Sequence, residues 1–92
     1  MKLIYPGIFH KEENSYWVEF PDLQGFQSFG NTLEEIYFNA REALTAYCAI
    51  LSEQGKVINP PTDIFKISPP ENAFVSLVDT DLIKTKVLAT AL

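Results

Sequence analysis

The tightest constraint on this chain is a change of period at residue 32. From there on, Leu33, Ile36, Tyr37, Ala40, Ala43, Leu44, Tyr47 and Leu51 recur at helical spacing and fall on one apolar stripe. Thr32, followed three residues later by Glu35, forms a capping box in which each side chain satisfies an orphan backbone amide. Glu34 and Glu35 also suit the positive end of the helix dipole. Gly55 supplies a C-terminal stop. The pattern predicts one helix over 33–53, about 30 Å long at 1.5 Å per residue. A helix with a single apolar stripe must bury it against another layer. A chain of 92 residues has room for one modest core, and so for one domain.

The remaining apolar runs supply that layer. Residues 2–9 (KLIYPGIF) read as a first strand. Pro6 lacks an amide donor, so the strand is expected at a sheet edge or with a bulge. The polar segment HKEENS follows as a turn. In the second strand, 15–20, Tyr16, Val18 and Phe20 share one face at period two, and Trp17 and Glu19 share the other. A third strand covers 26–29. Four prolines between 60 and 70 exclude regular helix or central strand there, and an ordered connection is expected, with a short extended piece at 64–67. A fourth strand at 73–79 is apolar on both faces and is expected to be well buried. The fold class is therefore α+β, in the order β-β-β-α-β. It is a mostly antiparallel sheet with one long helix packed on one face, and the fourth strand could return parallel to a neighbour.

Seven Lys and Arg against twelve Asp and Glu give a net charge of -5, which disfavours binding to phosphate and suits a basic partner. No run of the length needed for a membrane span is present, and the N-terminus lacks a secretory signal, so a cytoplasmic protein is expected. A single cysteine excludes an internal disulfide and a thiolate metal cluster. Cys48 reads as a packing residue about one position off the stripe, His10 as a solvated turn residue, and Lys84 with Lys86 as a solvated strand face. Glu19, Asp22 and Asp79 are the carboxylates that a metal-dependent nuclease site would have to gather. Glu34 and Glu35 are better explained by capping. No catalytic residue, cofactor site or metal site is assigned, and no enzyme is expected.

Three aromatic residues sit badly for a core. Trp17 points away from Tyr16 and Val18, Phe29 opposes Phe26, and Phe38 lies off the helix stripe. With one helix, one sheet face stays open, and exposed aromatics there mark a protein interface, with self or with a foreign partner. A homo-oligomer is expected, with Phe38 its strongest contact and Trp17 the second.

These pieces together resemble a known family. Residues 5–9 (YPGIF), 18–25 (VEFPDLQG), 30–35 (GNTLEE) and 39–44 (NAREAL) closely resemble the HicB-type antitoxins. The resemblance implies a truncated ribonuclease-H-like fold. It also implies binding and blocking of a small basic, mRNA-cleaving HicA-type toxin in a type II toxin–antitoxin system. On this reading residues 1–82 form the HicB-like domain and 83–92 a C-terminal tail. Many family members carry a C-terminal DNA-binding module. Only about ten residues follow Leu82, too few for one, so no DNA binding by this form is expected. Phe38 also departs from the pattern, standing where a charged residue is expected. Two alternatives stay open: a homo-oligomeric HicB-like domain without a toxin, and a metal-dependent nuclease.

Overall fold

The computed structural model describes residues 3–80. The 83–92 tail, Lys84 and Lys86 lie outside the described residues. Four strands and one long helix follow the expected order: β1 (Ile4–Lys11), β2 (Tyr16–Glu19), β3 (Gln27–Gly30), α1 (Leu33–Glu53) and β4 (Ala73–Asp79). The strands form one sheet in the order β3-β2-β1-β4, and every pairing is antiparallel. β4 is thus antiparallel to β1: the connection after α1 carries the chain from Asp22, which binds Thr62, to Lys11, which binds Asn72.

The helix is bounded as its sequence dictates. Thr32 is extended at the N-cap, and its hydroxyl accepts from the Glu35 amide at 3.0 Å. The Glu35 carboxylate reaches back one residue further than in the simplest box and accepts from the Asn31 amide at 3.0 Å. One donor that helix geometry leaves unmatched, the Glu35 amide, is thereby satisfied, and the Asn31 amide just before the cap gains an acceptor. Gly55, at φ +69, follows the last turn, where its left-handed backbone has no side chain to oppose it.

α1 presses Ile36, Ala40, Leu44 and Cys48, all fully buried, onto one sheet face. The sheet answers with Tyr5 and Phe9 from β1, Val18 from β2 and Val78 from β4, and Phe20 and Leu23 close the end. Each large side chain so buried is worth about 1.5–3 kcal/mol. The period-two reading of Tyr16, Val18 and Phe20 holds. The helix stripe lies slightly rotated from its sequence reading: Cys48 is in the core and Leu33 is exposed.

Three local expectations are corrected. β1 is not an edge strand but lies between β2 and β4. Odd-numbered residues of β1 direct their amides and carbonyls at β4, as the Lys11 amide to the Asn72 carbonyl and the Thr80 amide to the Leu3 carbonyl show. Even-numbered Pro6 therefore faces the β2 side, and β2 pairs with β1 only from Ile8 onward. The missing donor is asked for nothing, so a central strand tolerates the proline. β4, expected to be well buried, is instead an edge strand on which Phe74 and Leu77 are about half exposed and only Val78 is buried. Residues 64–66 form a 3-10 turn rather than an extended piece, capped by the Asp63 carboxylate, which accepts from the Phe65 amide at 3.0 Å.

Gly30 sets how closely the helix can approach. A Cβ there would stand 2.7 Å from the Ile36 amide nitrogen and 2.9 Å from its Cα, both backbone atoms that cannot swing aside. Gly30→Ala should destabilise the fold by about 1–3 kcal/mol through overpacking. Thr32→Ala should cost about 1 kcal/mol through loss of the cap. Urea unfolding of the two variants beside the wild type measures both.

Candidate interaction surface

The sheet face turned away from α1 is built by register. His10 lies opposite Trp17 and Trp17 opposite Phe29, so the three side chains form a row across β1, β2 and β3. Ile8, Glu19 and Gln27 form the next row. The imidazole of His10 stacks on the indole of Trp17 with ring centres 3.8 Å apart and planes 6° from parallel. Its Nε2 meets the Glu19 carboxylate at 2.6 Å, diagonally across the hairpin. His10 is therefore a strand residue with two cross-strand partners and not a solvated turn residue, because β1 continues to Lys11. A four-residue link from 12 to 15 fixes this register, so the hairpin reading already held the signal: with 10 opposite 17, Glu19 falls diagonal to His10.

The structure brings Trp17 and Phe29 together. Trp17 is half-buried under His10, and Phe29 is 62% exposed at the edge of the row. It does not bring Phe38 to them. Phe38, 63% exposed, points outward from α1, on the layer that covers the opposite sheet face. The connection over residues 54–72 leaves it open. The three aromatic residues singled out from the sequence thus belong to two surfaces.

Among the described residues, both outer strands of the sheet are touched by side chains of α1. At the β4 edge, the Tyr37 hydroxyl donates to the Leu77 carbonyl at 3.0 Å, and Arg41 pairs with Asp79 at 2.7 Å. At the β3 edge, the Asn39 amide donates to the Phe29 carbonyl at 2.7 Å. In the alternation of the ladders, Leu77 and Phe29 direct these carbonyls away from the sheet, so the helix occupies acceptors that an added strand would need. Sequence gave no hint of this, since the contacts link residues 10 and 40 positions apart.

The carboxylates considered for a metal site are held apart. Glu19 meets His10; Asp22 accepts from the Thr62 amide at 2.8 Å and its hydroxyl at 2.5 Å; Asp79 meets Arg41. Among the described residues no three His, Cys, Asp or Glu side chains gather where they could hold a metal ion. Likewise no helix among them is long and apolar enough to cross a membrane. Beneath the helix, burial pushes the Cys48 thiol above its ordinary range. Burial also raises the Tyr5 hydroxyl, helped by negative charge at Cys48 and Asp22, while that hydroxyl donates to the Asn59 carbonyl.

The sequence model of the HicB-like antitoxins of bacterial toxin–antitoxin systems matches residues 5–90. This chain belongs to the HicB-like antitoxin family. Two solved relatives have this fold. The N-terminal domain of the Burkholderia pseudomallei antitoxin HicB is 31% identical with a TM-score of 0.71, covering 87% of this chain and 100% of that one. A chain of the HicA3 and HicB3 toxin–antitoxin complex is 30% identical with a TM-score of 0.70, covering 86% and 99%. An uncharacterised 14.9 kDa protein from the rep–hol intergenic region of Haemophilus phage HP1 is 32% identical over 83 residues. That match covers 87% of this HicB-like chain but only 62% of the phage protein's length.

The raised thiol and phenol carry a pH consequence. Both groups ionise more readily in the unfolded chain than in the folded one. Their contribution is therefore fully present at neutral pH and is lost as pH rises through about 8.5 to 10, the ordinary range of free Cys and Tyr, and beyond. Thermal unfolding should shift to lower temperature between pH 8 and pH 10.5, and Cys48→Ala should shrink that shift. Iodoacetamide should label Cys48 slowly in the native protein and readily in urea.

Proposed function

We propose that this HicB-like protein is the antitoxin of a type II toxin–antitoxin system and neutralises a HicA-type mRNA-cleaving toxin by covering its working surface. The observation that carries the reading is the match, over nearly the whole of that relative's length, to a chain of a HicA3 and HicB3 complex. The physics supports it. A chain at -5 is drawn toward a cationic protein that itself handles RNA phosphate, and occlusion asks for no catalytic group in the inhibitor. On this reading the chain acts in the cytoplasm, is not an enzyme, takes no cofactor and, with its acidic balance, does not bind DNA.

Self-association belongs to the same reading. The Trp17–Phe29 row is the surface suited to it. It carries aromatic area, the Glu19 carboxylate in the next row is hydrogen-bonded by His10, and Gln27 beside it is neutral. The plugged edges favour face-to-face packing over strand addition.

Co-expression with a HicA-type toxin should restore growth to cells that the toxin alone arrests, and the purified pair should co-elute. Arrest that persists with soluble antitoxin present refutes the reading. The purified protein should leave RNA intact with Mg²⁺ or Mn²⁺; cleavage abolished by Asp22→Asn or Asp79→Asn would restore the nuclease alternative. Sedimentation should show an oligomer that Trp17→Ala weakens.

A further inference from the structure

The outer face of α1 carries a row that neither the core nor the sheet edges use. Glu34, Phe38 and Glu42 follow one another at four-residue spacing, so they stand in line along the helix on the side away from the sheet. All three are exposed, and Phe38 most conspicuously so for an apolar residue within a helix. The helix Leu33–Glu53 contains four glutamates (34, 35, 42 and 53) and one cation, Arg41, which gives it a net charge of -3. That cation does not offset the row. Its guanidinium is drawn to the β4 edge by Asp79 at 2.7 Å. What remains is a phenyl ring between two carboxylates.

From this arrangement we propose that the Glu34–Phe38–Glu42 row is the docking surface for the toxin, with Phe38 entering an apolar recess and the two glutamates meeting lysines or arginines at its rim. The proposal rests on the antitoxin reading and names the surface that performs it. The charge pattern selects the occupant. In an isologous pair of copies joined through this face, Phe38 would meet Phe38 and each glutamate would approach a glutamate of the other copy, so like charges would oppose self-association here. A cationic partner turns the same charges into attraction and orients the encounter. A desolvated aromatic ring ringed by polar contacts is the usual form of an interface hot spot. On this proposal the sheet face, rather than Phe38, serves a second copy, and the helix face serves the toxin.

The test measures binding of the purified, catalytically inactive toxin to the wild type and to three variants, at several salt concentrations. Phe38→Ala should weaken binding roughly 30-fold or more, as truncation of a hot spot does, with helicity and oligomeric state unchanged. Glu34→Gln with Glu42→Gln should slow association and flatten its dependence on salt, since steering by exposed charges is screened. Trp17→Ala should leave toxin affinity within about threefold, less than the roughly 1 kcal/mol that marks a contributing interface residue. Toxin binding that is unchanged in Phe38→Ala but lost in Trp17→Ala overturns the assignment and leaves the antitoxin reading standing. A wild type that does not bind the toxin at all overturns both.

Discussion

Contact between the Ile36–Ala40–Leu44–Cys48 ridge and one face of the sheet is what everything else in this domain depends on. The ridge advances four residues at a time, and it meets Tyr5, Phe9, Val18 and Val78, contributed by three strands. Without the helix the sheet would expose that whole row to water. Without the sheet the helix would keep only its propensity and its cap, which hold a peptide of this length weakly. Gly30 permits the close approach: at the end of β3 the absent side chain leaves space for the backbone of the first helical turn. The capping interactions at Thr32 and Glu35 then start the helix within two residues of that contact.

A single covering layer has a consequence for the edges and the far face. A two-layer domain of this size has two unpaired strand edges and one uncovered face, each a potential site of unwanted association. Here α1 serves the edges as well as the core, with Tyr37 and Arg41 reaching one side and Asn39 the other. The far face is managed differently. Trp17 is partly covered by His10, whose ring is held in place by Glu19, and Phe29 stays open beside them. What the described residues leave open are side-chain surfaces rather than unpaired backbone acceptors.

Those surfaces differ in charge as well as position. On the sheet face the Glu19 carboxylate is hydrogen-bonded to the His10 imidazole, whereas on the outer helix face Glu34 and Glu42 stand exposed to solvent. The negative charge of the chain is thus distributed unevenly, and unevenness of that kind steers charged molecules toward one face of a protein. Phe38 lies exposed between two of those carboxylates, Glu34 and Glu42.

Local and periodic features were legible in the sequence: the 33–53 helix and its cap, the strand faces set by period two, the order β-β-β-α-β, and the exposure of Phe29 and Phe38. These depend on neighbours within a few residues, where spacing and capping chemistry act directly. Sequence did not determine the position of each strand within the sheet. Pro6 read as an edge residue, because a missing amide donor matters only if a neighbouring strand asks for it, and that depends on where β2 ends. The apolar β4 read as buried, because composition does not say which strand lies outermost. His10 read as a turn residue until the register placed it against Trp17 and Glu19. The separation of Phe38 from Trp17 and Phe29, and the guarding of both edges by one helix, were decided by tertiary structure alone. They follow from which side of the sheet the helix covers, a choice made by the summed burial of the core and not by any single segment of the chain.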